Sequence, residues 1–299
     1  MSKNNKVIRA LVSGSTGQLG QELKAMSKAY PHINCDFKNR AKLDLSSKTS
    51  IYDNLANSAY DFFINCAAFT AVDQAESNAK MAYKVNSEAL KYIADAAPPT
   101  CKVIHISTDY AYHIDPGRPL IESDRTSPKG VYAKSKLEGE QILLKTKPDS
   151  IVIRTSWVYS SYGNNFVKTM LKLGKDRDAL TIVSDQLGTP TYARDLADTI
   201  LDIITNYSED NINQTHKAGI YNFSNLGLTD WASFAEEIFK QAKIKCHVGT
   251  TTTKAYGAPA PRPLWSMMSK EKIQSDFHIK IPTWKESLVS CLKELGYKQ

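Results

Sequence analysis

The chain has 299 residues, 42% hydrophobic and 23% charged, a composition that argues against disorder and allows one large core with a smaller lobe. Its formal charge of +7 is dispersed and not gathered into a basic run, so it points to small anionic ligands and no nucleic-acid partner. The five cysteines are odd in number, scattered and without metal-like CxxC spacing, as expected of reduced thiols in a cytoplasmic protein.

The opening residues 1–6 run directly into an apolar stretch, which is expected to leave no room for a signal segment, and no later run is long enough to span a membrane. Residues 7–12 read as a buried strand leading into Gly14-Ser15-Thr16-Gly17-Gln18-Leu19-Gly20, after which 21–26 read as helix. Glycines at this spacing let the backbone turn tightly and approach a pyrophosphate at the helix N-terminus; the plainer alternative is an ordinary glycine turn. The next strand, 33–37, exits into Lys38-Asn39-Arg40. An acidic side chain there favours NAD and basic ones favour NADP, so Lys38 and Arg40 predict NADPH, while Asp36, one register step away, keeps NADH open.

Further strands are expected at 62–65, 102–106 and 151–154, separated by helical stretches such as 79–97. This alternation predicts an α/β fold with a Rossmann-like, doubly wound parallel sheet over residues 1–156. The strand at 102–106 ends at Ser107-Thr108-Asp109-Tyr110, placing hydroxyls at the carboxyl edge where such sheets bind ligands. Tyr132 and Lys136 then fall four apart on one face of a helix. A phenol beside a cation is expected to have its pKa lowered toward a useful acid, although the spacing alone also occurs on many surface helices. Beyond Trp157 the rhythm breaks. Residues 157–299 are expected to form a smaller mixed α/β substrate lobe, including the stretches 219–223, 229–241, 246–248 and 284–295, with about 180–205 returning to the first domain. The stretch 256–263, rich in Pro and Gly, reads as an ordered loop crossing the molecule.

A glycine turn, a Ser-Thr strand end and a YxxxK helix, in that order, resemble the extended short-chain dehydrogenase/reductase superfamily. Asn65-Cys66-Ala67-Ala68-Phe69-Thr70-Ala71-Val72-Asp73, Arg154-Thr155-Ser156-Trp157, Asn164-Asn165-Phe166-Val167-Lys168 and Asp185-Gln186-Leu187-Gly188-Thr189-Pro190-Thr191-Tyr192 narrow the resemblance to its dTDP-4-dehydrorhamnose reductase family, over nearly the whole chain. The resemblance implies reduction of the 4-keto group of a dTDP-6-deoxy sugar by NADPH, or NADH. Tyr132 would be the proton donor, Lys136 would hold the nicotinamide ribose and acidify the phenol, and Thr108 would hydrogen-bond the sugar carbonyl. The cofactor would lie along Gly14, Gly17, Gln18, Leu19 and Gly20, with Lys38, Arg40, Asp44 and Leu45 toward the adenosine and Cys66, Ala67, Ala68 and Thr70 beneath the pyrophosphate and nicotinamide ribose. Substrate contacts would come from Thr108, Asp109, Trp157, Asn165, Phe166, Lys168, Gln186, Thr191 and Arg262. For Asp44 a helix cap, and for Trp157 a core position, are the competing readings.

One departure from the family pattern lies at Ala111-Tyr112-His113-Ile114-Asp115-Pro116-Gly117, where an aromatic and Asp-Gly usually follow sooner. The glutamates through which some family members bridge subunits with magnesium have no match, so no metal is expected, and a homodimer stays open. Two other functions remain in view: a sugar-nucleotide 4-epimerase, and a non-catalytic regulatory subunit like the methionine adenosyltransferase beta subunit.

Overall fold

The long strands of the first half send alternate residues into two different cores. These strands are β1 (Ile8–Ser13), β2 (Ile33–Phe37), β3 (Phe62–Asn65), β4 (Lys102–Thr108) and β5 (Ile151–Thr155) in the computed structural model, which describes residues 7–209 and 217–298. Ile8, Ala10 and Val12 of β1 enter one cluster and Leu11 the other; Ile151 and Ile153 of β5 are parted from Val152 in the same way. Successive side chains leave opposite faces of a strand, so a strand covered on both faces reads as an unbroken apolar run.

Helix α1 (Gln18–Met26) covers the first face through Leu19 and Leu23. The second face is covered by α2 (Lys48–Leu55) and, after the short α3 (Val72–Ser77) and α4 (Ala79–Tyr83), by α5 (Ala89–Ala96) and α6 (Gly130–Thr146). A π-helical turn, Lys84–Glu88, joins α4 to α5. Such turns recur near functional sites. Here its Asn86 side chain holds both backbone groups of Phe69 and also donates to Ser135 of α6.

The second half begins with β6 (Val158–Tyr159), α7 (Phe166–Asp176), β7 (Ala179–Val183), β8 (Leu187–Gly188), β9 (Thr191–Tyr192) and α8 (Ala193–Glu209). It continues through β10 (Gly219–Phe223), β11 (Thr229–Asp230), α9 (Trp231–Ala242), β12 (His247–Thr251), α10 (Thr253–Tyr256), β13 (Trp265–Ser266), α11 (Glu271–Phe277) and α12 (Trp284–Glu294). A separate core, with Met170, Leu180, Phe234, Phe239, Trp284 and Leu288, holds α7, α9 and α12 together.

The main sheet has six parallel strands in the order β10-β5-β4-β3-β1-β2. The structure corrects the sequence reading at 219–223. This stretch, expected in the second lobe, is the edge strand beside β5, because Tyr221 and Phe223 complete the sheet's first core. Within 180–205, α8 packs into that core through Leu196, Ile200 and Ile204, whereas β7 pairs with β12 in the second lobe. Chain connections leave β1 on opposite sides, toward β2 and β3, and ligands of open parallel sheets bind in the crevice this reversal creates.

Candidate active site

At that crevice the chain leaves β1 through Gly14, whose φ of +67° favours a residue without Cβ. A methyl group there would lie 2.8 Å from the Ala67 backbone nitrogen, so the turn after β1 and the loop after β3 pack backbone against backbone. Gly20 serves the same closeness one turn later, because a Cβ on it would strike the Gly14 carbonyl. Gly17, the N-cap of α1, brings no capping side chain, which leaves first-turn N–H groups free for an anion.

A cavity of about 900 Å³ opens at this turn and continues across the carboxyl ends of β3, β4 and β5. Gly14, Gly17, Gln18, Leu19, Arg40, Asp44, Leu45, Cys66, Ala67, Ala68 and Thr70 line one part, and Thr108, Asp109, Tyr132, Lys136 and Trp157 line the rest. The turn, the strand-end hydroxyl and the YxxxK helix thus meet in one space.

Each polar group in it has a physical state. Asp109 is buried and accepts from Ser266 Oγ at 2.5 Å and Thr108 Oγ1 at 3.1 Å. Burial pushes its carboxyl up to about 6, against those hydrogen bonds. Thr108 also accepts from the Tyr110 backbone N–H at 3.2 Å, which fixes its hydroxyl. The Tyr132 ring meets Tyr110 edge to face at 5.6 Å. Burial lifts its phenol to about 12, with Thr108 pulling it down and Asp109 adding to the rise. Lys136, expected from the spacing to acidify that phenol, directs its amine to other partners. The amine turns inward, donating to the Ile106 carbonyl at 2.7 Å and lying 3.1 Å from His105 Nε2, and burial lowers its pKa to about 8 although Glu140 opposes this. Burial also raises the Cys66 thiol, so it stays protonated and is no nucleophile.

Lys38, Asn165, Phe166, Lys168, Gln186, Thr191 and Arg262 lie off the cavity wall, whereas Arg40, Asp44 and Trp157 line it. Lys38 pairs with Asp36 at 2.9 Å, and Tyr60 donates to the same carboxylate at 2.7 Å, so Asp36 is held by neighbours. Arg40 remains on the wall, its side chain 75% exposed and 3.7 Å from Asp44. Asp44 is not the cap of α2; Ser47 is, while Asp44 accepts from the Ser46 backbone and hydroxyl just before it. Asn165 caps α7 and donates to Gln18 Oε1 at 3.0 Å, one side chain behind the wall. Lys168 reaches the Ser161 carbonyl at 3.3 Å, and Phe166 packs against Trp231 at 4.6 Å. Gln186 is tied to Trp231 and Thr253, and Thr191 to Thr155. Arg262 makes a two-pronged pair with Asp73, at 3.0 and 2.8 Å. Trp157 reconciles its two readings: it lines the cavity and stacks on Trp231 at 3.8 Å, with φ at +49°, a costly conformation for a bulky residue.

Sequence reasoning missed His105, Glu140, Asp73 and Trp231. Glu140, four residues after Lys136, was readable from helical spacing. His105 sits inside an apolar strand run and Trp231 starts a distant helix; neither carries a local signal.

With this geometry in hand, comparison with known proteins is informative. Residues 8–297 match the family model described as the RmlD substrate binding domain. A dTDP-4-dehydrorhamnose reductase from Aggregatibacter actinomycetemcomitans is 38% identical over 290 residues, covering 94% of this chain and 97% of its own. Among solved structures, a dTDP-4-dehydrorhamnose reductase from Clostridium acetobutylicum superposes with a TM-score of 0.90 at 33% identity, covering 97% of this chain and 100% of the other. The Bacillus anthracis reductase, solved in complex with NADP, gives 0.88 at 32% identity, covering 96% and 99%.

Proposed function

The chain belongs to the dTDP-4-dehydrorhamnose reductase family, and on that premise we propose that it reduces the 4-keto group of a dTDP-6-deoxy sugar with NADPH, giving dTDP-L-rhamnose. The observation that carries this reading is the convergence of Thr108, Tyr132 and Lys136 on the cavity that begins at the uncapped start of α1. The bare glycine turn fits a pyrophosphate, and Arg40, exposed on the wall while Asp36 is held elsewhere, suits a ribose phosphate.

A nicotinamide cofactor held along the glycine turn would supply the hydride for the sugar carbon. As the carbonyl electron pair moves onto oxygen, Tyr132 gives that oxygen its phenolic proton. A phenol at about 12 is protonated at neutral pH, and its phenolate is a weaker base than the alkoxide forming opposite it, so the transfer runs downhill. Thr108, whose oxygen is held by the Tyr110 N–H, stabilises the developing oxyanion more than the ground-state ketone by turning its one hydroxyl proton from Asp109 to the sugar oxygen. Lys136 holds the ribose end of the cofactor. Trp157 on its Trp231 platform walls the sugar, and Arg262 meets the diphosphate after exchanging Asp73 for it.

A cytoplasmic protein, acting as a homodimer, completes the proposal; the free state of all five cysteines supports the location. Among the described residues no helix is long and apolar enough to cross a membrane. Incubation with dTDP-4-keto-6-deoxy sugar and NADPH tests the proposal. One NADPH consumed per rhamnose nucleotide formed, identified by NMR, is the expected result; no consumption refutes it.

A further inference from the structure

A second cavity, of about 540 Å³, lies apart from the active site and shares no wall residue with it. The segment that departs from the family pattern, residues 111–117, leads into one side of it. There the Leu120 backbone N–H donates to the Met267 carbonyl and the Ser269 N–H donates to the Leu120 carbonyl, both at 2.8 Å, lacing this loop to the residues after β13. Pro119, Ile121, Leu226, Met267 and Met268 make much of the wall apolar, and Ile121 stays 39% exposed. A hollow of this size suits a small organic ligand.

The same wall carries Lys270, which is only 6% exposed. Three lysines are buried among the described residues. Lys136 donates to the Ile106 carbonyl at 2.7 Å and Lys147 to the Pro98 carbonyl at 3.3 Å, whereas no hydrogen bond or ion pair among the described residues engages the Lys270 amine. Burial lowers its pKa to about 8, with no carboxylate opposing the shift, so it is still mostly charged at neutral pH. A buried charge without a counter-ion is costly, and an anion entering the cavity relieves that cost.

The neighbouring charges select the kind of anion. Arg118 spends its fork on Asp124, at 2.8 and 2.7 Å, and Glu271 adds a negative charge to the wall. One unspent cation beside a carboxylate suits a single negative charge and opposes a dianion such as phosphate. The apolar side chains favour hydrocarbon in the remainder of the ligand.

We propose that this cavity binds a monocarboxylate with an apolar body, its carboxylate paired with Lys270 and its hydrocarbon against Met267 and Met268. These residues line only this cavity, so the site does not depend on the reductase reading.

Octanoate serves as the probe, titrated into the full-length protein carrying carbon-13 methyl methionine, with two signals assigned by Met267→Leu and Met268→Leu. Saturable shifts of those two methyl signals are the expected result. Lys270→Met, which keeps an unbranched apolar stem without the charge, should weaken octanoate about tenfold or more, and octan-1-ol should bind the unmodified protein more weakly than octanoate by a similar factor. Lys270→Gln gives the same reading should the Met variant not fold. No saturable shift, octan-1-ol binding as tightly as octanoate, undiminished octanoate affinity in a folded Lys270 variant, or displacement of octanoate by equimolar inorganic phosphate would each overturn the assignment.

Discussion

The two halves of the cavity are built from different materials. On the side of the glycine turn the wall is largely backbone: Gly14 rests on Ala67, and the start of α1 is bare. On the other side the residues expected to meet a sugar nucleotide are engaged with one another, Arg262 with Asp73, Gln186 with Trp231 and Thr253, Asn165 with Gln18. Backbone fixed by strand ends has little freedom to lose on binding, so the first half is ready for its ligand. On the proposed reading, the second half would trade internal pairs for external ones when a sugar nucleotide binds.

Removing the proton donor should give the largest effect while touching neither half's binding. Tyr132→Phe should lower kcat by roughly two to four orders of magnitude, the size of a general-acid contribution, with NADPH affinity unchanged by fluorescence titration. Near-normal turnover would remove Tyr132 from the mechanism.

The second half is probed by its latch. Arg262→Ala should raise the KM for the sugar nucleotide about tenfold or more, the loss of one charge-assisted contact of about 1.5–3 kcal/mol, whereas Asp73→Asn should leave that KM equal or lower by freeing the guanidinium. Equal damage from both variants, together with lower melting temperatures, would reduce Arg262 to a loop anchor.

Asp109 lies where the halves meet. Its carboxyl pKa is raised from 3.8 to about 6, so its favourable contribution is complete below 3.8 and is lost as pH rises through 6. Asp109→Asn should therefore be more stable than the unmodified protein at pH 7, by up to about 3 kcal/mol, and the gain should shrink as pH falls toward 4 in urea titrations. Its turnover should fall because Thr108 loses its anionic partner.

The smallest effect concerns the outer end of the first half. Arg40 is exposed, so its replacement by Ala should narrow the preference for NADPH over NADH only several-fold in kcat/KM, with stability unchanged. Better use of NADH by the unmodified protein would show that Arg40 does not meet the cofactor.

This contrast also explains what the sequence disclosed. The sheet was legible because β1, β3, β4 and β5 are apolar runs bounded by turn residues, and the glycine turn because its chemistry is local. The edge strand β10 was misplaced because membership of a sheet is a long-range property: residues 219–223 look alike whether they pair with β5 or with a second lobe. The inward turn of Lys136 was illegible for the same reason, since it depends on His105 from a different element. Arg262 and Asp73 stand 189 residues apart, and no spacing rule connects them.

The central claim, that this cavity moves one hydride and one proton in a single direction, is tested most directly by turnover of dTDP-4-keto-6-deoxy sugar with NADPH deuterated at the transferred position. The expected outcome is one deuterium at C4 of the rhamnose nucleotide for each NADP released, lost in parallel with turnover in Tyr132→Phe. Interconversion of sugar epimers without net NADPH consumption, or product carrying no deuterium at C4, would contradict it.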